Sequence, residues 1–124
     1  MKVKNIKIGI KSLEDSLNEF ALTWKKLEKG EKVKRHEAVY FENIDALKAV
    51  LTDKRLEVLR AIRKHKPASI YELAKILGRD LKNVNDDVKL LADLGFVKLE
   101  KIKTDRKRTV PTVDYGKITL EIGI

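Results

Sequence analysis

Between residues 69 and 96 the chain carries a run of start and stop signals that leaves its backbone little choice. Ser69 is followed three residues later by Glu72, the spacing of a helix-capping box. Ile70, Leu73, Ala74 and Leu77 then fall on one helical face, and Gly78 is placed to end the helix. Asp80 can cap a second helix, in which Val84, Val88 and Leu91 recur at helical spacing. Gly95 stops that helix in turn. Phe96 to Ile102 has strand composition, and Lys103-Thr104-Asp105-Arg106-Lys107-Arg108 reads as a basic hairpin tip. The order is helix, tight turn, helix, strand, charged tip.

The stretch SIYELAKILGRDLKNVNDDVKLLADLGFVKLEK resembles the winged helix-turn-helix of small prokaryotic transcriptional regulators of the MarR/ArsR type. The matching residues are Glu72-Leu73-Ala74, the Gly78 turn, Val84, and Leu91 with Leu94-Gly95-Phe96-Val97. LTDKRLEVLRAIRKH resembles the helix that usually comes before this pair. From Ala46 to Ile122 the chain is similar to a group of predicted archaeal and bacterial DNA-binding proteins. The resemblance implies an α+β fold: a winged helix-turn-helix over residues 46–124, preceded over 1–45 by a strand-helix-strand extension suited to dimerisation. It implies a sequence-specific DNA-binding regulator, a repressor before an activator, acting as a homodimer on double-stranded DNA. Some members of the group it resembles sit beside small toxin genes. The alternative is therefore an antitoxin-like module whose winged helix docks a small toxin or another protein. Fold alone does not choose between these.

At 124 residues the chain has room for one domain, or one domain with an appended dimerisation element. It has no cysteine, which excludes disulfides, zinc ribbons and thiol chemistry. His36 and His65 each sit in a basic run without a second ligand at useful spacing, so neither metal nor cofactor is expected. The formal net charge is +9. The cations cluster: Lys32, Lys34 and Arg35; Arg63, Lys64 and Lys66; and Lys101, Lys103, Arg106, Lys107 and Arg108. Such clusters suit phosphate contact, although a lysine-rich surface also serves solubility alone. No apolar run approaches the roughly 18 residues of a membrane span, and the N-terminus lacks a signal-peptide core, so a cytoplasmic protein is expected. Charged residues make up 38% and glutamine is absent, a bias resembling that of thermophile proteins.

Residues 3–10 read as a strand with Ile6, Ile8 and Ile10 on one face. Ser12 can cap a helix whose stripe is Leu13, Leu17, Phe20, Ala21, Trp24 and Leu27, ended by Gly30. That stripe predicts packing, either into the monomer core or against a second copy. Ala38 to Phe41 reads as a strand, Asn43 or Asp45 starts a short helix, and Thr52 caps another with Leu56, Leu59 and Ile62 inward. Asp114-Tyr115-Gly116 is a turn signal, and Lys117 to Ile122 alternates as a half-buried strand. The first and last strands could pair with each other or across a dimer. Pro111 predicts an edge strand, because it cannot donate to a ladder.

With Val84, Val88 and Leu91 inward, Lys82, Asn83, Asn85, Asp86 and Lys89 face outward on the second helix. Side-chain amides suit adenine edges, and lysines suit guanine acceptors or phosphates. Ser69 and Tyr71 are placed to bond a phosphate at the start of the preceding helix. Many related recognition helices carry Ser, Arg or His where this one has Asn85, Asp86 and Asp87. Two carboxylates near phosphates cost affinity unless one accepts from cytosine N4; the expectation is that Asp87 pairs with a local Lys or Arg and only Asp86 approaches the groove. The tip offers Lys103, Arg106, Lys107 and Arg108 to phosphates or the minor groove. Two such surfaces in a dimer would neutralise about 6–10 phosphates, making binding steeply salt-dependent. Asp86 and Asp87 point about 100° apart and cannot work as a facing pair; with no phosphate loop or nucleophile motif, an enzyme is not expected. RNA binding would want exposed stacking aromatics, yet most of the seven aromatic residues fall in apolar stripes.

Overall fold

The computed structural model describes residues 4–11, 13–30, 38–103 and 107–124. In chain order the elements are β1 (Lys4–Ile10), α1 (Leu13–Glu28), β2 (Ala38–Phe41), α2 (Ile44–Val50), α3 (Asp53–His65), α4 (Ile70–Leu77), α5 (Leu81–Asp93), β3 (Lys98–Lys103), β4 (Lys107–Thr112) and β5 (Tyr115–Ile122). This is an α+β chain. Two compact units divide it, one centred on Val50–Gly116 and the other on Asn5–Ala49 with Lys117–Ile124. The last strand leaves the C-terminal unit after Gly116, because its later residues join the sheet of β1 and β2.

In the Val50–Gly116 unit, each helix is started and stopped by side chains or backbone within four residues of its end. Thr52 Oγ1 accepts from Arg55 N at 3.3 Å to open α3, which closes on Lys66 in the left-handed region at φ 45°. Pro67 follows, buried. Ser69 Oγ accepts from Glu72 N at 3.0 Å while Glu72 Oε2 accepts from Ala68 N at 3.1 Å, the reciprocal pair of a capping box. At Gly78, φ 63°, the Gly78 N–H donates to Lys75 O and the Arg79 N–H to Ala74 O, a Schellman closure. Asp80 Oδ2 accepts from Asn83 N at 3.3 Å, so only three residues separate α4 from α5. Gly95, φ 91°, repeats the closure, with Phe96 N donating to Leu91 O at 2.8 Å.

The helices share one core: Val58, Leu59 and Ile62 from α3, Leu73 and Ala74 from α4, Val84, Val88 and Leu91 from α5. Phe96 and Val97 join it ahead of β3, which begins at Lys98, so the expected strand from Phe96 starts two residues late. β3 and β4 form an antiparallel pair, with Leu99 opposite Pro111 and Lys103 opposite Lys107. Among the described strands β4 pairs with β3 alone, the edge position Pro111 demands. Tyr115 and Gly116 are strand rather than turn. The reason is tertiary: the buried Tyr115 hydroxyl donates to Phe96 O at 2.8 Å, and Arg63 Nη1 donates to Tyr115 O at 2.8 Å. Burial foremost, and then the neighbouring Asp114 charge, push the Tyr115 phenol well above its ordinary range.

The other unit is built on a three-stranded sheet in the order β2-β1-β5, so the first and last strands pair within the chain. β1 and β2 are parallel, with Ile8 opposite Val39 and Gly9 opposite Tyr40. A Cβ on Gly9 would meet the exposed Tyr40 ring at 2.7 Å, so a larger residue there would have to displace that ring. Lys11 Nζ lies 4.2 Å from the Tyr40 ring centroid and also pairs with Glu19. Ile8 and Phe41 are the buried side chains of this unit among its described residues. Asn43 Oδ1 caps α2 by accepting from Ala46 N at 2.8 Å. The α1 stripe is not part of that core: Phe20 is 66% exposed and Trp24 55% exposed. The reading in which α1 completes the monomer core fails for these residues. Ser12, its expected cap, lies outside the described residues.

Candidate functional site

The outer face of α5 is set by its inner one. Val84, Val88 and Leu91 are fully buried, which fixes the helix rotation. Lys82, Asn83, Asp86 and Lys89 are consequently exposed, and Asn85 is half-buried. At about 100° per residue, Lys82, Asp86 and Lys89 share an arc of about 60°. Asn85 flanks that arc on one side and Asn83 on the other, about 160° apart around the axis. One flat ligand edge therefore meets Asn85 or Asn83, and Asn85 lies nearer the lysines. The centre of the face balances two lysines against Asp86, so α5 supplies hydrogen-bonding groups and little net charge.

Asp87 does something else. Its Oδ1 accepts from Arg55 Nε at 3.2 Å and its Oδ2 from Arg79 Nη2 at 2.9 Å. Arg55 in turn donates through Nη1 to Val50 O at 3.0 Å. All three side chains are mostly buried, Asp87 at 15% exposure. One carboxylate thus ties α3, the α4–α5 turn and α5 together by charge-assisted hydrogen bonds. Asp87 is paired with arginine, as expected, and Asp86 is exposed. The two arginines were the residues that sequence reasoning missed. Arg79 Nη1 is buried without a protein partner.

At the start of α4, Ser69 is half-buried and its oxygen already serves the cap. Tyr71 is 57% exposed, with Lys75 Nζ 4.6 Å from its ring centroid. This end therefore presents one cation, two hydroxyls and the Glu72 carboxylate. At the far end of the β3–β4 hairpin, Lys103 pairs opposite Lys107 and Ile102 opposite Arg108. Lys101 and Arg108 are exposed. Arg106 lies outside the described residues, as does the Lys32, Lys34, Arg35 cluster. The second basic cluster is real in space: Arg60, Arg63, Lys64 and Lys66 line an open cleft of about 570 Å³ with Val113 and Asp114. Among the described residues, no three His, Asp or Glu side chains approach closely enough to hold a metal ion. No described helix is long and apolar enough to cross a membrane.

A family model, HVO_A0114, matches residues 50–120, more than half of the chain. The chain belongs to the HVO_A0114 family. The part shared with that family holds α3, α4, α5, the β3–β4 hairpin and most of β5, and so contains the Asp87 clamp and the polar face of α5. β1, α1 and β2 precede the match. No curated protein matches the chain.

Proposed function

We propose that this chain binds double-stranded DNA, with α4, its turn and α5 acting as a helix-turn-helix and β3–β4 as the wing, and that it represses transcription by occupying its site. The observation that supports this most is the pairing of a rigidly held polar helix with a basic hairpin in one unit. α5 has 13 residues, about 20 Å, which suits a major groove about 12 Å wide. Its inner side is locked by Val84, Val88, Leu91 and the Asp87 clamp. Its outer side offers Lys82, Asn85, Asp86 and Lys89, donors and acceptors with little net charge, the mix that direct base reading needs. Lys101, Lys103, Arg106, Lys107 and Arg108 supply the charge for phosphates. Ser69 and Tyr71 would add a backbone contact at the start of α4.

The test is fluorescence anisotropy with the gene's own upstream duplex and a scrambled one, across a salt series. Tighter binding to the native duplex at physiological salt supports a specific regulator. Equal binding to both, lost as salt rises, reduces the surface to non-specific phosphate attraction and defeats the proposal. A protein-docking role, such as that of an antitoxin, rests on a different observation, the uncovered apolar stripe of α1.

A further inference from the structure

The large described side chains of that stripe follow a strict rhythm. Leu17, Phe20, Trp24 and Leu27 are separated by three, four and three residues, the a/d spacing of a helix that packs along another helix. They are exposed by 60%, 66%, 55% and 55% respectively. The two rings stack on each other at 6.5 Å between centroids, so the middle of the stripe presents one continuous aromatic surface. Trp24 Nε1 already donates to Glu28 Oε1 at 2.8 Å, so covering the ring face strands no polar group.

We propose that α1 pairs with α1 of a second copy of this chain, antiparallel, about a two-fold axis between Phe20 and Trp24. Charge selects both the occupant and the direction. The first half of α1 carries Glu14, Asp15 and Glu19, the last of them paired with Lys11 ahead of the helix, while its last turns and the residue just beyond carry Lys25, Lys26 and Lys29 against Glu28. This polarity suits the helix dipole, and it also makes the helix complementary to itself reversed. Parallel pairing would set acid beside acid and lysine beside lysine. Surface charges of this kind fix orientation more than affinity. Antiparallel a/d packing then sets Phe20 against the partner's Trp24 and Leu17 against the partner's Leu27. Covering the exposed parts of these four side chains on both copies buries about 900 Å² in all, a size that fits a reversible dimer.

The test uses the full chain without DNA, so its outcome is independent of the nucleic-acid reading. Sedimentation equilibrium of the wild type is expected to show reversible association to twice the 14.2 kDa chain mass. Trp24, the one tryptophan, should shift its emission to the blue as concentration rises. Phe20→Glu and Trp24→Glu should each be monomeric at every concentration while keeping the helical circular dichroism of the wild type. The chain lacks cysteine, so orientation can be read by cross-linking. Leu17→Cys mixed with Leu27→Cys should form a disulfide dimer, and Leu17→Cys alone should not, its two copies lying about 15 Å apart along the axis. A wild type that stays monomeric overturns the proposal, including the case where it instead binds a different protein through α1. A dimer untouched by Phe20→Glu overturns it equally, and ready cross-linking of Leu17→Cys alone overturns the antiparallel arrangement.

Discussion

Replacing Asp87 by alanine should cost far more stability than any exposed aspartate on the same helix. The carboxylate accepts two charge-assisted hydrogen bonds, at 3.2 Å from Arg55 and 2.9 Å from Arg79. Each such bond is worth about 1.5–3 kcal/mol to a charged group, but bonds sharing one acceptor do not add fully. The three side chains keep 15–23% of their exposure, so solvent softens the penalty below that of a fully buried pair. The deletion also leaves two guanidiniums facing one another with no anion between them. The expected loss is about 3 kcal/mol. For a unit of this size that is a fall in Tm of about 12–24 °C. Asp87→Asn keeps the shape and one acceptor and should lose less. Asp86→Ala, exposed, should change Tm by no more than about 4 °C. Thermal unfolding followed by circular dichroism at neutral pH measures all three. A double-mutant cycle with Arg79→Ala should return a coupling of about 1–2 kcal/mol. If Asp87→Ala melted with the wild type, the clamp would carry no energy and the argument for a rigidly held α5 would fail.

Tyr115→Phe removes the 2.8 Å bond to Phe96 O and should cost about 1–2 kcal/mol below pH 10. Because burial raises the folded phenol above its ordinary value of about 10, the wild type should keep this contribution below that pH and lose it above; Tyr115→Phe should flatten that alkaline loss, and an unchanged pH profile of denaturant midpoints would contradict it. Gly78→Ala meets no neighbouring atom, so only the left-handed φ of 63° opposes it, and a loss of about 1 kcal/mol is expected by urea titration. Changing Arg106, Lys107 and Arg108 together to alanine should weaken binding to every duplex and reduce the log–log salt slope by about 0.9 for each phosphate that is no longer neutralised, with Tm unchanged. Asn85→Ala should instead alter the ranking of duplexes in a competition assay; equal weakening on all of them would remove it from base reading.

Features settled within four or five residues could be read from the amino-acid order alone. The Ser69–Glu72 box, the Gly78 and Gly95 closures and the Asp80 cap are of this kind, because caps and left-handed glycines act on the nearest turn. The inward triplet of α5 was legible for the same reason: the helical period turns spacing into a face. Whatever joins distant residues had to wait for the folded chain. Asp87 could be read as the paired aspartate, but Arg55 lies 32 positions away, so its share in the pairing was decided only when α3 lay alongside. The Asp114-Tyr115-Gly116 stretch carries turn residues, yet the Phe96 carbonyl and Arg63, 19 and 52 positions away, hold Tyr115 in a strand. β1 pairs with β5 across almost the whole chain, a choice that alternating isoleucines permit without specifying. The stripe of α1 could be read as apolar, but its exposure could not, since an amphipathic pattern records that a face needs covering and says nothing of what covers it.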